Sequence, residues 1–225
     1  MKQRIKIDGT IMLSTVVITI LLYCFPALYS QNIFWDEIFD FIGFIVIFKG
    51  VYLRMVARGY KKEFSQKGHG LVISGPYTFT RNPMYLGTYM IGAGFLLIVW
   101  PWWFLILYTA VFLARFNVQI EKEEVHLKNM FGKEYEDFCA RIPRFFPHIK
   151  TLLTLNVKKA FPWNLCWSTK ERFNLISLPA MAIALEFLQE KIIYGVFDPQ
   201  RIIYLFCLAA VVFATSLFIH YRIKK

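Results

Sequence analysis

Paired cysteines are missing from this sequence. Its four cysteines stand at positions 24, 139, 166 and 207, with no CxxC or other paired spacing. This pattern argues against a disulfide framework and against a cysteine-based metal site. Cys24 and Cys207 lie within apolar runs, so we expect reduced thiols that serve packing. No metal site is predicted.

Acidic residues are scarce, and charge as a whole is unevenly distributed. The chain carries 26 Lys and Arg against 15 Asp and Glu, which gives a net charge of +11. In a soluble protein such a charge would favour nucleic-acid binding. This chain, however, is 57% hydrophobic, more than a water-soluble domain usually is, and its basic residues stand beside apolar runs. We therefore predict a membrane protein with no nucleic-acid partner.

Long apolar runs predict about six membrane-spanning helices, since a helix needs roughly 20 apolar residues to cross a bilayer. The third and fourth runs are short, and the sequence WPWW between them predicts a tight helical hairpin with an aromatic anchor at the interface. The predicted fold class is an all-α, polytopic membrane helix bundle. The six runs cover residues 11–29, 36–57, 84–100, 102–118, 173–194 and 200–221.

Basic residues are absent from the loops on one side of this predicted bundle. Loops 30–36, 100–103 and 195–199 contain no Lys or Arg, whereas the termini and loops 54–67 and 119–172 are rich in them. Because Lys and Arg favour cytoplasmic loops, both termini are predicted to be cytoplasmic.

The same pattern predicts three parts of the chain. They are two N-terminal spans (1–60), a core with the hairpin (61–150), and a C-terminal extension with an interfacial segment and two spans (151–225).

Polar residues concentrate at the cytoplasmic end of the predicted hairpin. One group lies at 69–77, a second at 81–87 and a third at 121–124. Because the third and fourth spans form a hairpin, the start of one and the end of the other are neighbours. We therefore expect Arg81 and Asn82 to lie near Glu123 and Glu124. Gly132 and two closely spaced prolines, at 143 and 147, predict helix breaks further along.

Three motifs across residues 69–147 resemble the isoprenylcysteine carboxyl methyltransferase and phospholipid methyltransferase superfamily. They are GPYTFTRNPMYLG, EE-x-x-L-x-x-x-FG-x-x-Y and IPRFFP, in that order. The resemblance implies an integral membrane enzyme that uses S-adenosylmethionine. It also implies a cofactor pocket at the cytoplasmic membrane surface and a lipid-like acceptor that enters from the bilayer.

The resemblance also suggests roles for individual residues. It makes Arg81 and Glu123 the candidate catalytic residues, and Asn82 stands where the superfamily usually has a histidine. The carboxyl-methylating branch has an arginine four residues before the first glutamate, but this chain has Gln119 there. The acceptor is therefore left open among a carboxylate, an amine, a phenol and a thiol. The candidate cofactor-binding residues are His69, Leu71, Val72, Tyr77, Asn82, Pro83, Tyr85, Gly92, Gly94, Glu123 and Glu124.

Other interpretations of these features stay open. Arg81 could reach the lipid headgroups from the start of a helix, and Gly87 and Gly94 could serve close helix packing. Glu186 within the fifth span either lines a cavity or pairs near the interface. For the whole chain, the alternatives are a sterol-type reductase that uses NADPH and a non-catalytic lipid-binding membrane protein. The oligomeric state is not predicted.

Overall fold

The computed structural model describes residues 19, 21, 23–29, 33–65, 69–154, 173–195 and 203. All regular structure in these residues is helical, which confirms the all-α prediction. Single 3-10 turns cover Pro26–Leu28 and Gly75–Thr78, and a π-helical turn covers Glu190–Tyr194. The α-helices are α1 (Ile33–Phe64), α2 (Pro83–Val99), α3 (Phe104–Phe131), α4 (Lys133–Arg141), α5 (Ile149–Thr154) and α6 (Asn174–Gln189).

The predicted hairpin corresponds to α2 and α3, which are separated by residues 100–103. The second predicted span lies inside α1, and the fifth corresponds to α6 with the π-helical turn. Regular helix in the first predicted span does not reach residue 29, because Pro26–Leu28 is a 3-10 turn. The interfacial segment and the sixth span, apart from position 203, lie outside the described residues.

Among the described helices, α3 alone is both long enough and apolar enough to cross a membrane, judged by length and composition. Helix α2 is apolar but shorter. Helix α1 is long, yet charged residues such as Asp40, Lys49 and Arg54 interrupt its apolar sequence. The six-span topology therefore stays a prediction.

Glycines bring α1 and α2 into close antiparallel contact. A Cβ atom added at Gly43 would lie 2.8 Å from the carbonyl oxygen of Gly94, and one at Gly50 would lie 2.8 Å from that of Gly87. Gly43 and Gly50 lie two helical turns apart on α1, and Gly87 and Gly94 lie two turns apart on α2. The same close approach therefore occurs twice along the interface. Helix packing thus accounts for Gly87 and Gly94.

Helix α6 packs into the same hydrophobic core as α1. Leu175 and Ala182 of α6 belong to one buried cluster with Ile47 and Val51 of α1. Pro179 lies inside α6 and is fully buried, so it serves the packing of this helix. The C-terminal part of the described chain is therefore integrated with the N-terminal helices.

Helix α6 also buries two polar side chains against its neighbours. Glu186 is 4% exposed and Gln189 is 3% exposed. In the amide orientation that satisfies its surroundings, Gln189 donates to the carbonyl oxygen of Ile98 at 2.7 Å. This bond fixes the C-terminal end of α6 against the C-terminal end of α2.

The chain reverses after α3 and returns to the start of α2. Gly132 ends α3 with a φ of +51°, which an L side chain rarely adopts, and α4 begins immediately after it. Residues 142–148 are not helical, as the two prolines predict. We call residues 142–147 the return segment. Its Pro143 carbonyl accepts from the Arg81 backbone at 3.0 Å, and its Phe145 carbonyl accepts from the Thr80 hydroxyl at 2.7 Å.

Candidate functional site

The start of α2 is fixed by its own sequence. Pro83 occupies the first helical position, where its missing N–H group leaves no hydrogen bond unmade. The preceding 3-10 turn begins at Gly75 with a φ of +61°, and a Cβ atom there would collide with the ring of Tyr60. Only glycine fits this position, so the loop before α2 can lie directly against α1.

Glu123 on α3 faces the first turn of α2. The Tyr85 hydroxyl donates to Oε1 of Glu123 at 2.6 Å. Nε2 of Gln119, one helical turn earlier on α3, donates to the same oxygen at 3.0 Å. Both described hydrogen-bond partners of Glu123 are therefore neutral groups.

Glu124 is held by two arginines. Nη1 of Arg81 lies 3.2 Å from Oε1 of Glu124, and Nε of Arg144 lies 3.1 Å from Oε2. Arg81 also contacts Sγ of Cys139 on α4. The predicted proximity of Arg81 to the acidic pair is thus confirmed, and the two glutamates differ in the charge of their partners.

Arg144 connects three parts of the site. Besides Glu124, its Nη1 donates to Oδ1 of Asn117 at 2.6 Å, and its backbone carbonyl accepts from Nδ2 of Asn82 at 2.9 Å. The return segment is therefore joined through Arg144 to both helices of the hairpin. Arg144, Asn117 and Cys139 were not among the predicted site residues. IPRFFP marked the region of Arg144, but nothing in the motif indicated its partners.

Burial and the charge of the acidic pair both raise the pKa of nearby tyrosines. Burial raises the pKa of Tyr77, and the charge of Glu123 raises it further. Burial likewise raises the pKa of Tyr135, with a smaller contribution from Glu124. Both hydroxyls therefore stay protonated well above neutral pH and can donate hydrogen bonds.

The predicted site residues do not all join this cluster. Arg81, Asn82, Tyr85, Glu123 and Glu124 come together, and Pro83 begins the helix that carries Tyr85. Leu71 is half-buried, and Val72 and Tyr77 pack against the core. His69 is exposed, and the described contacts give it no hydrogen bond to the cluster. Gly94 lies against α1, and a Cβ atom at Gly92 would meet the Tyr108 hydroxyl.

Aromatic rings fill the hairpin beside the polar cluster. Tyr89 stacks on Tyr108 at 5.5 Å between ring centroids and meets Phe145 and Phe146 of the return segment edge-on. Tyr85, whose hydroxyl binds Glu123, also has its ring 5.3 Å from that of Phe116. The polar cluster thus borders directly on an apolar region within the hairpin.

Fold and site together define a class of protein: a strongly apolar chain whose described regular structure is helical, with a charged cluster at one end of a helical hairpin. Comparison with known proteins identifies its relatives. The phospholipid methyltransferase family matches residues 28–134, which include α1, α2, α3 and both glutamates. The resemblance to the isoprenylcysteine carboxyl methyltransferase and phospholipid methyltransferase superfamily is thereby confirmed.

Two curated relatives illustrate the degree of similarity. The protein-S-isoprenylcysteine O-methyltransferase of Rattus norvegicus is 29% identical in an alignment 133 residues long, which covers 53% of this chain and 47% of the relative. The protein of the same name from Schizosaccharomyces pombe is 30% identical in an alignment 135 residues long, which covers 56% of each chain. The chain thus spans about half the length of the curated relatives it matches. No solved structure shows significant similarity to it.

Proposed function

We propose that this protein is an integral membrane methyltransferase that transfers a methyl group from S-adenosylmethionine to a lipophilic acceptor. The observation that supports this most is the cluster at the start of α2. There Tyr85 and Gln119 hold Glu123 while Arg81 and Arg144 hold Glu124. The cluster lies within or directly beside the region that matches the methyltransferase family.

The residues of the cluster suit the proposed cofactor. S-adenosylmethionine, when bound, supplies a methyl group on a positively charged sulfur. Glu123 is a partly buried carboxylate whose described partners are neutral, so it can attract a cation or accept bonds from hydroxyl and amino groups. Tyr77 and Asn82 are further candidates for contact, and Glu124 serves mainly to hold the two arginines.

The chain's own residues would act mainly by positioning. Methyl transfer requires the nucleophile to be held in line with the methyl group and water to be excluded. We assign acceptor orientation to Arg81 and the binding of its apolar part to the aromatic region around Tyr89. A carboxylate acceptor is already ionised at neutral pH and needs no base. An amine or phenol would require a proton acceptor, and we assign that role to Glu123.

The same proposal includes the location of the protein. The distribution of Lys and Arg supports a multi-pass topology with both termini and the cluster on the cytoplasmic side. The acceptor would reach the aromatic region from the bilayer. Its chemical group is left open, because the matching family is named for phospholipids and the curated relatives for isoprenylcysteine.

Binding of S-adenosylhomocysteine to the protein in detergent, measured by calorimetry, tests this proposal. Glu123→Gln should weaken binding about 10- to 100-fold, because a hydrogen bond to a charged group contributes about 1.5–3 kcal/mol. Glu121→Gln, an exposed change on the same helix, is the matched control and should bind normally.

The possible results separate the claims. If the unmodified protein does not bind S-adenosylhomocysteine but is stabilised by NADPH, the reductase alternative replaces the methyltransferase proposal. If the unmodified protein binds and Glu123→Gln binds equally well, the assignment of Glu123 is wrong while the proposed activity stands.

A further inference from the structure

A pocket lies at the opposite end of α2 from Arg81. Its volume is about 200 Å³, and the 17 residues of α2 separate it from the charged cluster by roughly 25 Å. Five aromatic residues and one carboxylate contribute to its walls. They are Tyr29, Phe39, Trp100, Trp102, Trp103 and Asp36.

The pairing of α1 with α2 brings the carboxylate to the aromatic turn. Gly50 faces Gly87, and Gly43 faces Gly94. Continuing this antiparallel register by two further turns places Asp36 beside Pro101, between the tryptophans of the 100–103 turn. The same helix contact that closes the interface thus positions an acidic group in an aromatic pocket.

Hydrogen bonds and ring packing hold the walls of this pocket in place. The Tyr29 hydroxyl donates to the Val99 carbonyl at 3.1 Å, and Nε1 of Trp100 donates to Oγ1 of Thr19 at 2.9 Å. The Trp103 ring stacks on Phe104 with centroids 4.0 Å apart. The polar atoms of Tyr29 and Trp100 are satisfied in this way, so their rings offer apolar surface to an occupant.

We propose that this pocket binds the choline headgroup of a membrane lipid. Aromatic faces attract quaternary ammonium groups, and this attraction grows as the cation is desolvated. The Asp36 carboxylate adds charge complementarity, and among the described lining residues there is no Lys or Arg to favour an anionic headgroup. Trp102 is 54% exposed, which leaves the pocket accessible at the predicted membrane interface. This inference does not depend on the proposed methyl transfer.

Thermal unfolding of the full chain in a maltoside detergent tests the inference. Short-chain phosphatidylcholine should raise the Tm in a saturable way, and phosphatidylglycerol with the same acyl chains should not. Tetramethylammonium should compete with the choline lipid, which shows that the headgroup rather than the acyl chains is recognised.

Variants locate the effect. Asp36→Asn should abolish the stabilisation by phosphatidylcholine, and Glu37→Gln, on the same turn of α1 but outside the pocket lining, should retain it. If Asp36→Asn does not fold, Trp102→Leu tests the proposal instead, because this exposed ring can be removed with little effect on the core. An equal Tm shift in Trp102→Leu, or from the glycerol lipid, would overturn the proposal.

Discussion

Arg144 shows how much of this site depends on one side chain. Its guanidinium reaches Glu124 and Asn117, and its carbonyl accepts from Asn82. A guanidinium presents several donors in a fixed plane, whereas a lysine ammonium is a single point of charge. Arg144 therefore holds the return segment against α3 in a way that lysine cannot reproduce.

Replacement of Arg144 should weaken the cofactor site without unfolding the protein. We expect Arg144→Ala to lower S-adenosylhomocysteine affinity about tenfold, since Arg144 is one-third exposed and solvent screens part of its interaction. Arg144→Lys should restore little of this loss. Arg141→Ala is the control, because Arg141 is exposed and its described hydrogen bond is to its own helix. Calorimetry in detergent measures the affinity, and unfolding in detergent measures the stability. Normal affinity in Arg144→Ala would show that Arg144 does not position the cofactor site.

Helices α1 and α2 depend on glycine for their contact. At Gly50 a Cβ atom would lie 2.8–2.9 Å from the Gly87 oxygen and the Ile91 nitrogen, which are backbone atoms that cannot move aside. At Gly92 the atoms in the way belong to the Tyr108 side chain, which can shift at the cost of the hydrogen bond from its hydroxyl to the Tyr89 carbonyl. Gly50 on α1 and Gly92 on α2 therefore differ in what surrounds them, backbone in one case and a side chain in the other.

This difference predicts unequal effects of alanine on stability. Gly50→Ala should lower the free energy of unfolding by about 1–3 kcal/mol, because overpacking outweighs the gain of about 1 kcal/mol in helix propensity. Gly92→Ala should cost clearly less. Denaturant unfolding in detergent, followed by circular dichroism, measures both changes. Equal stability of Gly50→Ala and the unmodified protein would show that the two helices can separate without cost.

At the scale of the whole molecule, the two ends of α2 lie in different surroundings, one charged and one aromatic. The charged cluster lies where α2 begins and α3 continues beyond the hairpin, and the aromatic pocket lies at the other end of α2. The loops near the cluster are basic, and those near the pocket contain no Lys or Arg. This asymmetry predicts that the two ends face opposite sides of the membrane.

Labelling of introduced cysteines tests this orientation. Asn129→Cys lies on the exposed C-terminal part of α3, and Trp102→Cys lies in the exposed turn of the hairpin. A membrane-impermeant maleimide added to intact cells should label Trp102→Cys above the background of the native cysteines. Asn129→Cys should be labelled only after the membrane is opened. The reverse pattern would invert the topology, and labelling of both from outside would contradict the spanning arrangement.

Local sequence signals predicted the elements and one central contact. Trp100 to Trp103 separate α2 from α3, Gly132 ends α3, and prolines end the helical region after α4, as predicted. These features depend on neighbouring residues, through the fixed φ of proline and the positive φ open to glycine. The hairpin then places Arg81 beside Glu124, because two antiparallel helices joined by a short turn must align their far ends.

Tertiary packing decided which partners individual residues have within the predicted helices. The sequence does not indicate the partners of the two adjacent glutamates. Glu123 meets neutral donors and Glu124 meets two arginines, because successive residues on a helix point in different directions. Gly94 serves contact with α1, and Arg144 reaches the site only because the chain folds back. Such contacts depend on how helices rotate against one another and where distant segments return, and no short stretch of sequence contains that information.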